Sequence, residues 1–307
     1  QPNVDPLQKW DSQFQEQVFN QLLKNSSEIL KQEPDLLVWP ETATPFYLRT
    51  RLHALAEIGK FLDSSRVYLL TGTPDYQYSE DRTRVFTHNA AFFFRPDQIS
   101  FEAYYKMALV PGSETVPFKT ILPFLRNLDI GGADFFPGKS YNVFKCRVPE
   151  RIGRYNGTQF QINRSNPLDS ITVRLSAIIC YESVFPHIVR RFVENGAELL
   201  TIITNDGWFG MTSGPFQHAR YAVFRAIENR VSIIRCANTG ISGYIDPVGR
   251  YLKQAPLNTS KNLSAIIPLN SKKTFYTVHG DWFGQICLLI SIIFIFFVLF
   301  SWRLFRS

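Results

Sequence analysis

The sequence of 307 residues predicts an α/β layered sandwich followed by one membrane-spanning helix. Three observations lead to this prediction. Short, fully apolar runs that are typical of buried strands alternate with stretches of helical periodicity. Some of the apolar runs are neighbours in the sequence, which argues against a regular series of β-α-β units. Residues 286–302 contain no charge, no glycine and no proline.

The N-terminal part of the chain contains two predicted helices and three predicted strands. Asp5 followed by Pro6 has the pattern of a helix N-cap with proline in the first turn, and an apolar stripe continues from there to Leu22. A second helical stripe runs from Leu48 to Leu62. The apolar runs that predict strands are LLVWPET (36–42), VYLLTG (67–72) and NAAFFF (89–94).

The alternation continues after residues 119–168, which are less periodic. This region contains the glycine-rich segment PFLRNLDIGGADFFPG, which is compatible with a lid, a membrane-touching segment or a plain surface loop. Helices are then predicted at 184–197 and 215–230. The predicted strands are ITVRLSAIIC (171–180), LLTIITN (199–205) and VSIIRCAN (231–238), and a turn follows at Asp246-Pro247.

The C-terminal segment predicts a transmembrane helix over residues 282–302, with Trp282 and Trp302 as anchors at the two interfaces. A helix of this length covers roughly 31 Å, which matches a hydrocarbon core of about 30 Å. A buried core helix is the alternative, but no polar face is present.

The charges beside this helix predict its orientation. Arg303 and Arg306 follow it, so we expect residues 303–307 to form a cytoplasmic tail and the preceding residues to lie outside the cytoplasm. Lys272 and Lys273, in a predicted juxtamembrane linker at 271–281, weaken this asymmetry.

The composition excludes several functional classes. The formal net charge of +7 is spread along the chain without a basic stripe, which argues against nucleic-acid binding. The four cysteines are far apart and show no metal-ligand spacing, so neither a disulfide scaffold nor a metal site is expected. Whether Cys146 and Cys236 form a disulfide stays open. The mean hydropathy of −0.09 averages a globular part and a membrane helix.

Polar residues stand at the ends of three apolar runs, where sites form in open α/β sheets. They are Glu41, Cys180 and the pair Asn205-Asp206. A cysteine is a good nucleophile only as a thiolate, so Cys180 needs a base such as Glu41. Lys106 offers an ammonium group for a developing oxyanion, which suits acyl transfer through a thioester. Taken singly, each residue also has an ordinary structural explanation, and the spacing alone does not prove that they meet.

Several motifs in a fixed order resemble the nitrilase superfamily and, within it, the apolipoprotein N-acyltransferase family. The motifs are WPET (39–42), KMALVPGSE (106–114), ICYES (179–183), NDGWFG (205–210), QHARYAVFRAIENR (217–230), NTGISGYIDPVGR (238–250) and GDWF (280–283). The resemblance covers nearly the whole chain. It implies a nitrilase-like four-layer α-β-β-α sandwich over residues 1–270, followed by the linker and the transmembrane helix.

The resemblance also implies roles for individual residues. Glu41 matches the general base, Lys106 the catalytic lysine and Cys180 the nucleophile of a Glu-Lys-Cys triad. Glu114 matches a second glutamate that supports the site. Three further residues match supporting or pocket positions, namely Tyr181, Glu182 and Trp208.

The activity implied by the resemblance is the transfer of a fatty acyl group from a phospholipid, phosphatidylethanolamine by expectation. The acceptor is the N-terminal amine of a diacylglyceryl-cysteine apolipoprotein. Neither a metal nor another cofactor is implied, and the chain is expected to act as a monomer in the bacterial inner membrane with its catalytic domain on the periplasmic side. The apolar residues expected to exclude water and admit the acyl chain are Phe124, Leu125, Phe135 and Phe136.

Two other functions compete with this interpretation. A membrane-tethered amidase of the same superfamily, acting on a small amide or nitrile, would use the same Glu41, Lys106 and Cys180. A non-catalytic membrane-anchored scaffold is the third possibility, and the presence of all three residues argues against it. The sequence also departs from the family, whose members carry several membrane helices before this domain. We therefore expect a C-terminal fragment of a longer polypeptide.

Overall fold

A computed structural model describes residues 1–6, 8–115, 135–155 and 160–304. Within these residues two β-sheets are stacked face to face, and helices cover the outer face of each sheet. The chain completes the first sheet before it begins the second, so elements that are close in sequence are also close in space.

The first sheet has the strand order β1-β2-β3-β4. Its strands are β1 (Leu36–Val38), β2 (Tyr68–Tyr78), β3 (Val85–Arg95) and β4 (Gln98–Tyr105). β1 pairs in parallel with β2, and the other neighbours are antiparallel. Helices α1 (Ser12–Ile29) and α2 (Leu52–Ser65) cover this sheet with their apolar stripes, in which Phe19 and Ile58 are fully buried.

The second sheet has the strand order β10-β9-β8-β7-β6-β5. Its strands are β5 (Phe144–Tyr155), β6 (Phe160–Ile179), β7 (Leu199–Thr204), β8 (Ser232–Ala237), β9 (Ser242–Ile245) and β10 (Tyr251–Ala255). Strands β6, β7 and β8 are parallel, and the crossovers between them contain α3 (Pro186–Glu194) and α4 (Gly214–Asn229). These strands read as continuous apolar runs because both faces of the sheet are covered.

Alternation along the strands of the first sheet divides its side chains between two cores. Phe92 and Phe94 belong to the cluster formed with α1 and α2. Phe93 points the other way and joins the core shared with the second sheet, where its ring stacks on Phe144 with the centroids 5.0 Å apart. The layer order is therefore helix, sheet, sheet, helix, which confirms the predicted four-layer sandwich.

The C-terminal helix α6 (Trp282–Leu304) is apolar around its whole circumference, as predicted. Its residues Trp282–Ser301 form a candidate membrane span of 20 residues with a mean hydropathy of 2.8, and no part of it is buried inside the protein. This length covers about 30 Å. The side chains of Trp302 and Arg303, and Arg306 entirely, lie outside the described part of the chain.

Residues 271–281, predicted as a juxtamembrane linker, contain a short helix, α5 (Phe275–His279). Arg190 of α3 donates a hydrogen bond to the carbonyl oxygen of Thr277 at 2.6 Å. The Thr277 hydroxyl in turn donates to Asn229 of α4 at 3.0 Å. The segment is therefore packed against the outer helices of the second sheet, and only two residues separate α5 from α6.

The element boundaries differ from the sequence prediction at the N-terminus. The first long helix begins at Ser12, with Asp11 as the N-cap whose carboxylate accepts the Gln13 N–H at 3.0 Å, and not after Asp5-Pro6. A 3-10 helix at Gln8–Trp10 occupies the intervening residues. The prediction also missed β4 and β5, whose polar and apolar residues are mixed too evenly to stand out as apolar runs.

Gly72 on β2 allows a close approach that positions the loop after β1. A methyl group at Gly72 would lie 2.6 Å from both Glu41 Cα and the Pro40 carbonyl oxygen. We expect Gly72→Ala to lower the free energy of unfolding by about 1–3 kcal/mol through overpacking, measured by urea unfolding in detergent. Gly59→Ala is the matched control, because its methyl group would meet only Ile99 at 3.5 Å and alanine favours a helix by up to ~1 kcal/mol. Equal losses in both variants would contradict this prediction.

Candidate active site

The three residues predicted to form a catalytic triad all lie just beyond the ends of strands. Glu41 follows β1 by three residues, Lys106 directly follows β4, and Cys180 directly follows β6. The side chains of Glu41 and Lys106 are buried, and the charges of both act on the thiol of Cys180. The two stacked sheets thus bring the three side chains together at one edge of the sandwich.

Lys106 lies between two carboxylates. Its Nζ donates to Glu114 at 2.8 Å and to Glu41 Oε1 at 3.3 Å. Burial alone would lower the pKa of Lys106, but the negative charges around it, Glu41 foremost, raise the pKa above its usual value. Lys106 is therefore a cation at neutral pH and suited to stabilising negative charge. The structure also places Glu114 beside Lys106, where the sequence motif had suggested a supporting glutamate.

Asn89 on β3 is a fourth component of this cluster, and the sequence analysis missed it. Its Nδ2 donates to Glu41 Oε1 at 2.8 Å and to Glu114 Oε1 at 2.7 Å. A single amide group therefore bridges the two carboxylates and sets their spacing. A signal was present, because Asn89 opens the apolar run NAAFFF, and a polar side chain in a buried strand needs partners.

The second oxygen of Glu41 is also held. Oε2 accepts the backbone N–H of Asn205, just after β7, at 2.9 Å. The side-chain oxygen of Asn205 in turn accepts a hydrogen bond from Asn238 at 3.2 Å. Both oxygens of Glu41 are therefore oriented by hydrogen bonds, Oε1 by residues of the first sheet and Oε2 by the backbone after β7 of the second sheet.

Cys180 begins a 3-10 helix, Cys180–Val184, at a sharp turn. Its φ of 51° lies in the left-handed region, which residues other than glycine rarely adopt. Burial and the negative charge of Glu41 raise the pKa of Cys180 well above its usual range, and the positive charge of Lys106 opposes this only in part. The resting sulfur is therefore a thiol, and attack on a substrate needs a base to remove its proton.

Glu182, which the sequence resemblance assigned to a supporting or pocket position, is fully buried beneath the site and does not line an open pocket. One oxygen accepts the backbone N–H of Met107 at 2.6 Å, and the other accepts that of Ile179 at 2.7 Å. Burial raises the pKa of Glu182, and these donors oppose the rise. Since its partners are the neighbours of Lys106 and Cys180, the carboxylate holds these two residues in register.

A second buried network lies behind Cys180; Asp206 was expected at a strand end, but its partners His218 and Arg235 were not predicted. The Asp206 carboxylate lies 2.7 Å from His218 Nδ1 and accepts a hydrogen bond from Arg235 at 2.9 Å. His218 Nε2 lies 3.1 Å from the carbonyl oxygen of Cys180. Burial alone would raise the pKa of Asp206, but the charge of Arg235 and the bond with His218 hold it well below its usual range. Asp206 is therefore an anion that supports the turn at Cys180 through His218.

Tyr181 and Trp208 are the two remaining predicted pocket residues. Tyr181 is half-buried, and its ring meets Phe185 edge-on with the centroids 4.9 Å apart. Trp208 is 64% exposed and is followed by other exposed apolar side chains, among them Phe209 and Met211. The segment after β7 therefore presents apolar surface next to the residue that orients Glu41.

The apolar loop predicted to exclude water is only partly described. Phe124 and Leu125 lie outside the described residues. The backbone N–H of Phe135 donates to the carbonyl oxygen of Glu114 at 2.9 Å, and that of Phe136 donates to Thr87 on β3 at 2.7 Å. The C-terminal end of the loop is thus fixed to the residue that contacts Lys106.

Cys146 and Cys236 are both buried and unpaired, so no disulfide joins them. Burial raises the pKa of both thiols, in the case of Cys146 to about 12. Both are therefore neutral thiols at physiological pH.

The burial of Glu182 generates a prediction about stability. Glu182→Gln turns one accepting oxygen into an N–H₂ donor that faces other donors, including the Tyr104 hydroxyl at 2.5 Å. We expect a loss of about 1.5–3 kcal/mol in the free energy of unfolding, measured with urea in detergent. Glu102→Gln is the control, because Glu102 is exposed on the surface beside Arg95 and its pair contributes about 0–1 kcal/mol. A loss no larger than that of the control would show that Glu182 does not hold the two loops together.

Curated apolipoprotein N-acyltransferases are similar to this chain in sequence. The enzyme of Chlorobaculum tepidum is 34% identical over 94% of this chain and 54% of its own length. The enzyme of Geobacter metallireducens is 33% identical over 94% of this chain and 50% of its own length. The chain therefore spans about half the length of the curated relatives that it matches.

Solved structures share the fold at much lower sequence identity. A carbon–nitrogen hydrolase from Helicobacter pylori superposes with a TM-score of 0.56 at 16% identity, over 82% of this chain and 84% of its own. Nit3 of Saccharomyces cerevisiae, a member of the nitrilase superfamily, superposes with a TM-score of 0.52 at 15% identity, over 79% of this chain and 81% of its own. The sequence model of the carbon–nitrogen hydrolases matches residues 7–274. With its nitrilase-like sandwich and this match over most of its length, the chain belongs to the carbon–nitrogen hydrolase family.

Proposed function

We propose that this chain is the catalytic part of an N-acyltransferase. It would move a fatty acyl group from a phospholipid, through a thioester on Cys180, to the N-terminal amine of a diacylglyceryl-cysteine apolipoprotein. The observation that carries the proposal is the meeting of Glu41, Lys106 and Cys180 at one edge of the sandwich. The similarity to curated apolipoprotein N-acyltransferases over 94% of the chain supports this substrate class.

The first half-reaction forms the thioester. At rest the raised pKa of Cys180 keeps its thiol protonated. Glu41 takes this proton, and the sulfur attacks the ester carbonyl of the phospholipid. Lys106 stabilises the oxyanion, since the neighbouring carboxylates keep it charged. The tetrahedral intermediate then breaks its carbon–oxygen bond, the leaving alkoxide takes the proton back from Glu41, and a lysophospholipid departs.

The second half-reaction transfers the acyl group. The α-amine of the apolipoprotein attacks the thioester, Glu41 accepts the amine proton, and the Cys180 sulfur leaves and is reprotonated. Water must stay away from the thioester during the exchange of substrates. The exposed apolar segment that contains Trp208 follows Asn205, whose backbone N–H binds Glu41, and would cover the site.

We also propose a location for this activity. The apolar helix α6 would anchor residues 1–270 to the bacterial inner membrane through the segment 271–281. Phosphatidylethanolamine, the expected donor, would then lie in the same membrane as the anchor. The catalytic domain would lie on the periplasmic side and act as a monomer.

Thioester formation tests the proposal directly. The whole polypeptide that contains these residues is reconstituted in vesicles with phosphatidylethanolamine, and its intact mass is measured. We expect the mass of one fatty acyl group to be added, to be removed by neutral hydroxylamine, and to be absent from Cys180→Ser. Cys146→Ser is the matched control, because Cys146 is a buried thiol on β5 outside the site, and it should still be acylated.

Two outcomes would contradict the proposal. One is the absence of an acyl adduct on the wild-type polypeptide in the presence of lipid. The other is an adduct that persists in Cys180→Ser and therefore lies elsewhere. Turnover of a small amide or nitrile without an acyl adduct from lipid would instead support a membrane-tethered amidase.

Glu41→Gln tests the base. The amide of glutamine cannot accept the thiol proton, and we expect thioester formation to slow by about 10²–10⁴-fold, measured by quenched-flow mass spectrometry. Glu16→Gln, an exposed carboxylate on α1, should leave the rate unchanged. Wild-type rates in a folded Glu41→Gln variant would assign the base elsewhere.

A further inference from the structure

A second buried lysine lies beside the active-site loop and takes no part in the mechanism described above. Lys9, in the 3-10 helix Gln8–Trp10, is only 2% exposed. Its Nζ donates to the carbonyl oxygen of Thr42 at 3.1 Å and to the Thr42 hydroxyl at 2.6 Å. Among the described residues, no carboxylate lies within ion-pair distance of this ammonium group. Its hydrogen bonds therefore converge on a single residue, the one that follows Glu41.

Thr42 adopts a conformation that needs support. Its φ of 45° lies in the left-handed region, which is unfavourable for a β-branched residue. On one side the turn rests against the backbone of Gly72, where there is no space for a side chain. On the other side Lys9 binds both oxygens of Thr42. Contacts with β2 on one side and with Lys9 on the other thus fix the turn, and with it the position of the Glu41 side chain.

The burial of Lys9 is unfavourable for folding. Desolvation lowers the pKa of Lys9 to about 8, and the charge of Glu41 offsets only part of this effect. Since the folded state disfavours the charged form, the buried charge costs stability and offsets what its two hydrogen bonds to Thr42 contribute. A buried, poorly compensated charge that costs stability is a common feature of functional sites.

The charges around Glu41 also favour a role for Lys9 at this turn. Glu41 and Glu114 bring two carboxylates to the site, and Lys106 is the only cation that contacts them directly among the described residues. Lys9 brings a second positive charge to the turn at Thr42, and it forms no hydrogen bond with the oxygens of Glu41. Those oxygens remain with Asn89, Lys106 and Asn205.

We propose that Lys9 is a positioning residue for catalysis, which holds the Thr42 turn so that the Glu41 carboxylate meets the Cys180 thiol. The inference rests on the proposed function for the identity of the reaction. It adds a contribution from the N-terminal segment, which supplies no residue to the triad. Lys9 contacts Thr42, the neighbour of Glu41, so it acts through Glu41 on the rate of the step in which that carboxylate takes the proton.

The first test replaces the charge. In Lys9→Met, thioester formation at saturating phosphatidylethanolamine should slow by about 10–100-fold, because a small displacement of the base is costly. The lipid concentration at half-maximal rate should stay the same. The thermal unfolding midpoint should not fall, since removal of the buried charge offsets the two lost hydrogen bonds. Lys24→Met, at an exposed position of α1, is the matched control and should behave as wild type.

The second test changes the partner of Lys9. Thr42→Val keeps the shape of threonine but loses the hydroxyl acceptor, and it should slow the reaction. Thr42→Ser keeps the acceptor and should retain the wild-type rate. The double variant Lys9→Met with Thr42→Val should be no slower than Lys9→Met alone, because both changes break the same contact.

The outcomes separate this inference from the proposed function. If wild type and Lys24→Met form the thioester and Lys9→Met forms it equally fast, the role of Lys9 is wrong and the proposed function stands. A fall in rate with a matching fall in the unfolding midpoint would assign Lys9 a purely structural role. If wild type forms no thioester, alkylation of Cys180 by iodoacetamide still tests Lys9. It should slow in Lys9→Met and Glu41→Gln alike, and an unchanged rate in Lys9→Met would overturn the inference.

Discussion

The burial of one ammonium group, that of Lys106, imposes the constraint on which the rest of the site depends. A charge inside a sandwich of apolar sheets is tolerated only when opposite charges and hydrogen bonds surround it. The fold therefore delivers Glu41 from the loop after β1 and Glu114 from the loop after β4 to the same point, 3.3 Å and 2.8 Å from the nitrogen. Asn89 then fixes the distance between the two carboxylates. The same arrangement that makes the buried charge tolerable keeps Lys106 in its charged form.

The two sheets divide the chemistry between them. The first sheet holds the charged cluster, whereas the second supplies the sulfur, and neither sheet alone forms a site. Glu182 links the two sheets, because it lies two residues after Cys180 and accepts hydrogen bonds from Ile179 and from Met107, the residue after Lys106. Asp206 supports the same turn from the opposite side through His218. Cys180 is thus held from both directions in a left-handed backbone conformation that residues other than glycine rarely adopt.

Much of this could be predicted from the sequence, because strands and strand ends are local features. The apolar runs before Glu41 and Cys180 predicted where these residues leave their sheets, and the motifs around them predicted the partnership with Lys106. Asn89 and Arg235 escaped prediction because their partners lie 48 and 29 residues away in the chain. The resemblance assigned Glu182 to a supporting or pocket position without deciding between them, because the sequence gives its proximity to Cys180 but not its direction. The positive φ at Cys180 decides that direction, and no local pattern announces it.

The docking of α5 on α3 and α4 has a mechanical consequence. A domain joined to a bilayer by a free tether can swing and sample many heights above the lipid. Here the contacts of Arg190 with Thr277 and Val278 lie within a few residues of Trp282, where α6 begins. The connection between the sandwich and α6 is therefore short and packed against the domain at its N-terminal end. With α6 in a membrane, the tilt of the sandwich and the height of its catalytic edge above the lipid surface would be set by the packing of one five-residue helix.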